Sequence, residues 1–333
     1  LGSERWVEPI FFKNAIEVKE YEDGVMPLRF TQKQLDVYGA KAIFQIRSHC
    51  PAGVYLDFYT DASFVEMEFV IESNIRNWMT MDIHVDGCFV DSWRTALDDH
   101  KSHERMICHF PLGHSDLRRV SIYLSQYVQL KIVDIRFSEG AVVESVPRYD
   151  KNLLCLGDSI TQGAEAIHPS SSYPVLLSQY LDMNLLNQGV GGYYFDADSL
   201  DEHLPYKPDL ITVAYGTNDW GLSGSLAEFH DKCASYFAKL HAIYPFVPKF
   251  VITPLWRSDV STDRNAGTLF DIIHTIRGIA GATPNVTLIN GMELVPHLGK
   301  FFGPQEVTKL HPNDEGFARM AMQLAKRIMA HVD

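Results

Sequence analysis

The sequence predicts two domains in series: an antiparallel β-sandwich of jelly-roll-like layout over residues 1–145, then an α/β domain over residues 146–333. Three observations predict it. The chain has 333 residues, about twice the usual size of a single domain. Residues 41–139 read as short stretches that alternate apolar and polar side chains, the signature of strands with one buried and one wet face. Beyond residue 150 the pattern changes to continuously apolar runs separated by helical periodicity, which is how a parallel sheet covered by helices is written.

In the N-terminal half the candidate strands are A-I-F-Q-I-R-S (42–48), G-V-Y-L-D-F-Y-T (53–60), F-V-E-M-E-F-V-I (64–71), M-D-I-H-V-D-G-C-F-V (81–90), E-R-M-I-C-H-F (104–110), R-V-S-I-Y-L-S (119–125) and L-K-I-V-D-I-R-F (130–137). They are divided by D-G, P-A-G and P-L-G turns, and short strands at this spacing point to two stacked sheets. In the C-terminal half the buried strands are L-L-C-L (153–156), M-N-L-L-N (183–187), L-I-T-V-A-Y (210–215), F-V-I-T (250–253) and V-T-L-I-N (286–290). Helical patterns fall at 173–181, 226–241, 264–279 and 316–328. Ligands of such sheets bind outside the carboxyl ends of the strands, so the chemistry is sought there.

Composition removes several classes. The formal charge is −13, and with no basic run the chain is a poor partner for nucleic acid or an anionic membrane. No stretch reaches the ~18 apolar residues of a membrane span. The five cysteines are scattered without a C-x-x-C pair, which predicts free buried thiols, a reducing compartment and a cytoplasmic protein. The N-terminus lacks the basic-then-apolar pattern of a signal peptide. The histidines are dispersed, and His100, His103, His109 and His114 are expected at the surface, so no metal and no cofactor is expected.

Four stretches at strand ends or helix starts carry candidate chemistry. L-G-D-S-I-T-Q-G (156–163) puts Ser159 where a strand turns into a helix, with its hydroxyl free to project above the sheet. Q-G-V-G-G-Y (188–193) lets backbone approach a ligand closely, and it is not G-x-G-x-x-G, so a dinucleotide is discounted. G-T-N-D-W (216–220) offers the neutral amide of Asn218, although an Asx turn would also explain N-D. His311-Pro312 stands just before the last helix.

Taken in order, Gly157-Asp158-Ser159, Gly192, Gly216-Thr217-Asn218-Asp219 and His311-Pro312 resemble the four blocks of the SGNH (GDSL-type) hydrolase superfamily. The resemblance covers roughly residues 150–331 and implies a flavodoxin-like three-layer α/β/α domain. It implies that Ser159 is the nucleophile and His311 its base, with an oxyanion hole made by the Ser159 N–H, the Gly192 N–H and the Asn218 amide. Gly192 is chosen because it stands five residues after Asn187, as the family spacing requires. A sandwich ahead of such a domain is similar to two-domain carbohydrate acetyl-esterases and to a group that includes polyketide-tailoring acyltransferases. T-P-L-W-R-S-D (253–259) resembles the latter and would put Trp256 near the pocket.

The family carries an aspartate three before the histidine, and this chain has Thr308 there. An acid in that role fixes the tautomer and stabilises the imidazolium. A neutral acceptor still fixes the tautomer. Three readings follow, in this order: a Ser159–His311 dyad oriented by a carbonyl or hydroxyl near Thr308, a displaced acid at Glu306, or an inactive site. Asp158 and Asp219 are expected to organise turns, with Asp158, Tyr193, Trp220 and Trp256 as pocket candidates and Tyr193, Tyr194 and the two tryptophans able to stack on sugar rings. The expected function is hydrolysis of a short, acetyl-like ester on a small molecule or carbohydrate. The rivals are an acyltransferase or thioesterase on a small metabolite, and a carbohydrate-binding protein with a dead hydrolase domain. The sequence leaves the oligomeric state open, a homo-oligomer included.

Overall fold

The structure is a computed structural model and describes residues 8–99, 103–113 and 116–332; His100 and His114 lie outside the described residues. The N-terminal part comprises β1 (Phe12–Lys13), β2 (Glu17–Tyr21), β3 (Gly24–Leu28), α1 (Gln32–Tyr38), α2 (Ala42–His49), β4 (Tyr55–Thr60), β5 (Phe64–Asn74), β6 (Trp78–Val85), β7 (Cys88–Ala96), β8 (Arg105–Pro111), β9 (Arg118–Tyr123), β10 (Val128–Phe137) and β11 (Val143–Ser145). These strands form two antiparallel sheets. One runs β1-β4-β9-β6-β7, with β11 also paired to β4; the other runs β2-β3-β10-β5-β8. Alternation decides which side chains meet between them: Phe58, Met81 and Ile122 of the first sheet share one buried core with Met67, Phe69 and Ile132 of the second.

The strand expected over 42–48 is instead helix α2. Its buried side chains are Phe44 and Ser48, four residues apart, and seven residues are too few to separate the two periods. The run at 81–90 splits at Asp86-Gly87, both at positive φ, which is the backbone of a two-residue hairpin turn.

The C-terminal part contains β12 (Lys151–Gly157), α3 (Ser159–Gln162), α4 (Tyr173–Tyr180), β13 (Met183–Gly189), β14 (Leu210–Ala214), α5 (Thr217–Leu222), α6 (Leu226–Ile243), β15 (Lys249–Ile252), α7 (Leu269–Gly281), β16 (Val286–Ile289) and α8 (Asp314–Met329). Its five parallel strands run β13-β12-β14-β15-β16, the flavodoxin-like order. Leu154, Leu156 and Val213 face α6 and α7 on one side of this sheet, and Leu153, Cys155 and Leu210 face α4 and α8 on the other. The helix expected from residue 264 starts only at Leu269, because Gly267 takes a positive φ and Thr268 forms a capping box with Asp271. Among the described residues no helix is long and apolar enough to cross a membrane.

The two parts are knit together. Phe30, Tyr38 and Phe44 join the core formed with α6 and α7, and Tyr55 and Tyr123 join the core formed with α4 and α8. Arg29 is completely buried with carbonyl oxygens as its partners: Cys50 and Arg47 on its own side, Asn187 and Gly189 across the interface.

Candidate active site

Register brings the candidate loops together. Gly157 pairs with Gly189 on one side and with Ala214 on the other, so β12, β13 and β14 end level. Ser159 follows the first end, Gly191 and Gly192 the second, and Asn218 the third. Gly157 cannot carry a side chain, because a Cβ would lie 2.0 Å from Thr161 Oγ1 and 2.8 Å from the Ala214 carbonyl. Asp158 caps α3 by accepting the Ile160 N–H at 3.0 Å. It is fully buried, which pushes its carboxyl up to about 6. It organises the turn and does not line the cleft onto which Ser159 and His311 open.

His311 stands on the loop before α8. Pro312 bridges to Phe302, and Asn313 caps α8 while bonding the Lys300 and Phe302 carbonyls, so the loop's end is fixed. The imidazole Nε2 stands 2.7 Å from Ser159 Oγ. Its Nδ1 pairs with Glu306 Oε1, and Glu306 Oε2 accepts the backbone N–H of His311 at 2.8 Å and of Leu310 at 3.1 Å. Burial alone would raise the Glu306 carboxyl, but the hydrogen bonds from His311 and from the backbone outweigh it and hold it below the usual range.

The orienter expected near Thr308 is therefore corrected to Glu306. The Thr308 carbonyl is taken by the Ser258 N–H at 2.8 Å, and Lys309 adopts a left-handed φ of 49° that curls the five-residue segment back until the carboxylate meets the ring. The acid is displaced by two positions, not missing.

Asn187 is wholly buried and ties β13 to α3 by donating to the Thr161 carbonyl at 2.8 Å. Gln162 Oε1 accepts the Gly191 N–H at 2.7 Å, and Arg47 Nη1 donates to the Gly191 carbonyl at 2.7 Å. That carbonyl and the Gly192 N–H belong to one trans peptide and point in opposite directions, so fixing the first aims the second. Gly192 has φ +80°, and a Cβ there would sit 2.9 Å from Arg47 Nη1. Asn218 donates to the Tyr193 carbonyl at 2.9 Å. Thr217, just before it, is held through its hydroxyl by Arg257 at 3.0 Å, and Arg257 is in turn paired with Asp259.

Ser159, Gly191, Gly192, Asn218 and His311 open on one cleft of about 210 Å³. The aromatics expected in it lie elsewhere. Tyr193 is buried, stacked on Tyr194, and bonds Asp196 at 2.6 Å. Trp220 is wholly buried, with the guanidiniums of Arg257 and Arg264 over its ring and its N–H on the Gly267 carbonyl. Trp256 stacks on His297 at 5.1 Å. The remaining wall comes from residues the sequence did not single out: Gln162, Ala164 and Leu310 nearby, and Arg47, Ile75, Arg76 and Tyr127 from the N-terminal part. Reading α2 as a helix would have pointed to Arg47; Arg76 and Tyr127 reach the cleft only through packing. Outside the cleft, Asp23, Glu72 and His103 hold ligand atoms within 4.8 Å of one another, but the Lys131 ammonium already bridges the two carboxylates.

A hydroxyl on an imidazole that is backed by a carboxylate, at the carboxyl end of a parallel sheet and beside aimed amide donors, defines a serine acyl-hydrolase site. Residues 155–319 match the GDSL-like lipase/acylhydrolase family, and the protein is an ester-bond hydrolase. A search of curated proteins found no match. Among solved structures, a salicylyl-acyltransferase from a tetracycline biosynthetic pathway is 18% identical, with a TM-score of 0.77 over 98% of this chain and 96% of that one. A GDSL-like lipase structure from Bacteroides ovatus is 17% identical, with a TM-score of 0.75 over 96% and 94%. A family two carbohydrate esterase from Clostridium thermocellum, in complex with cellohexaose, is 14% identical, with a TM-score of 0.62 over 83% and 91%. At these identities the likeness is one of fold.

Proposed function

We propose that the protein hydrolyses a short-chain ester, acetyl or similar in size, through a Ser159 acyl-enzyme. The observation that carries this reading is the continuous array Ser159–His311–Glu306, with Oγ 2.7 Å from Nε2. His311 takes the Ser159 proton as Oγ adds to the ester carbonyl. Glu306 holds the ring in the tautomer that leaves Nε2 free and stabilises the imidazolium. The oxyanion is received by the Ser159 N–H, the Gly192 N–H and the Asn218 amide, and His311 then protonates the leaving alcohol. Water, activated by the same imidazole, attacks the acyl-enzyme and releases the acid.

Carbohydrate as the alcohol is supported by the fold shared with carbohydrate esterases, and a short acyl group by the size of the cleft. A second reading, transfer of the acyl group to another alcohol, is supported by the acyltransferase fold that matches nearly the whole chain. The test is p-nitrophenyl acetate hydrolysis by wild type, Ser159→Ala and Asn218→Ala across neutral pH. Turnover should vanish with Ser159→Ala and fall roughly 10²- to 10³-fold with Asn218→Ala. Equal rates for wild type and Ser159→Ala would overturn the mechanism. Faster p-nitrophenol release with added alcohols, with the acyl group recovered on the alcohol, would favour transfer.

A further inference from the structure

The cleft carries a charge that ester hydrolysis by Ser159, His311 and Glu306 does not need. Of the described residues lining it, the two with a permanent charge are Arg47 and Arg76, and none is a carboxylate. In a chain of net charge −13 this is a local reversal. Both side chains are half-buried and neither guanidinium is fully engaged. Each has five N–H groups. Arg47 donates Nη1 to the Gly191 carbonyl at 2.7 Å, and Arg76 donates Nη2 to Glu165 Oε1 at 2.5 Å. Arg76 also lies over the Tyr127 ring, 5.6 Å from its centroid, which holds it at the wall.

The two cations feel each other. Burial first, and then the neighbouring Arg76 charge, push the Arg47 guanidinium below its ordinary range. The nearby acids are committed, Glu165 to Arg76 and Glu306 to His311. Glu165 compensates one guanidinium, so the wall retains a single positive charge beside the nucleophile. A guanidinium fork with free donors and partial burial is suited to a planar oxyanion. One uncompensated charge suits a monoanion better than a phosphate dianion. Ile75, Ala164 and Leu310 supply apolar wall for the short hydrocarbon that would connect that anion to the ester.

We propose that the substrate is an anionic ester, bearing a carboxylate close to the scissile bond, and that Arg76 determines this specificity with Arg47 beside it. This rests on the esterase reading above and names its substrate class. The carboxylate can sit on the acyl group or on the alcohol, and paired substrates separate the two.

The experiment compares kcat/KM for two matched pairs: the p-nitrophenyl esters of succinate and of methyl succinate, and acetylated glucuronate against acetylated glucose. Wild type, Arg76→Met and Arg76→Lys are measured at low and high salt, with Ser159→Ala as the background. Wild type should prefer the anionic member of one pair by roughly tenfold or more, the effect of a hydrogen bond to a charged group. That preference should collapse in Arg76→Met, return in part in Arg76→Lys and shrink with salt. The pair that shows it identifies the side bearing the carboxylate. Because the readout is a ratio within one protein preparation, a loss of folded enzyme cancels. Preference for the neutral member in both pairs, or a preference that Arg76→Met leaves intact, overturns the inference. Neutral-ester turnover that survives Ser159→Ala would instead remove the esterase reading itself.

Discussion

His311 is held by a carboxylate five residues before it, and the position three before it, where the family carries an aspartate, is Thr308. The choice of partner is chemical as much as geometric. Glu306 accepts from the ring and from two backbone N–H groups at once, so moving the carboxylate would break three hydrogen bonds. Glu306→Gln should keep the loop near its place and lose the charge that stabilises the imidazolium. We expect kcat for p-nitrophenyl acetate to fall roughly 10²- to 10⁴-fold, with Thr308→Ala close to wild type. A larger loss in Thr308→Ala than in Glu306→Gln would reverse the assignment. The sign of the linkage is also fixed. The Glu306 carboxyl is held below its unfolded value, so its contribution to stability is present above that value and fades as pH falls through the folded one. The stability margin of wild type over Glu306→Gln should therefore narrow on acidification below about pH 4.5, the ordinary glutamate value.

At the scale of elements, the first turn of α5 and the loop after β13 are coupled through Asp219. Its Oδ1 accepts the Phe195 N–H at 3.1 Å, while Oδ2 is buried with no partner among the described residues, and burial pushes the carboxyl up to about 7. A group raised above its unfolded value of 3.8 favours the folded state most when protonated, and that contribution is lost as pH rises towards 7. Asp219→Asn keeps the acceptor and removes the titration. Its melting temperature should gain on that of wild type between about pH 4 and pH 7, measured in parallel thermal scans. Parallel curves across that range would show that the carboxyl does not titrate there. The same coupling matters for chemistry, because Asn218, the neighbour of Asp219, donates to the Tyr193 carbonyl on that loop.

For the whole molecule, the N-terminal part is a wall of the active site. Arg47 fixes the Gly191 peptide, and Arg76 and Tyr127 line the cleft. Arg29, its charge pushed down to about 10 by burial, joins carbonyls of both halves. Ser170 bonds Asp82, and Gln126 and Tyr127 bond the Gly163 and Ala166 carbonyls just after α3. A chain starting at residue 146 would expose the apolar surface under Tyr38, Phe44 and Tyr123 and leave those carbonyls without partners. Expressed alone it should be insoluble or, if soluble, turn over p-nitrophenyl acetate at least about a hundredfold more slowly, given how far misplacing catalytic groups reduces rates. Wild-type kcat from that fragment would show that the N-terminal part is dispensable for catalysis.

Periodicity alone separated the two halves of this chain, because strands wet on one face and strands buried on both are written differently in side chains. Position after a strand drew attention to Ser159, the glycine run at 188–193 and Asn218, because in a parallel sheet whatever follows a strand is delivered to one edge, and here those strands end level; the family resemblance singled out Gly192 and joined His311 to them. Local reading failed where seven residues could not distinguish α2 from a strand, and where Tyr193 and Trp220, expected in the cleft, went into the core. Only the tertiary structure decided that Glu306 and not Thr308 faces His311, since that depends on a left-handed turn at Lys309 which spacing does not reveal. Only it could bring Arg47 and Arg76 to the nucleophile. They lie 112 and 83 residues before Ser159, and packing of one half on the other, not sequence proximity, places their charges at the cleft.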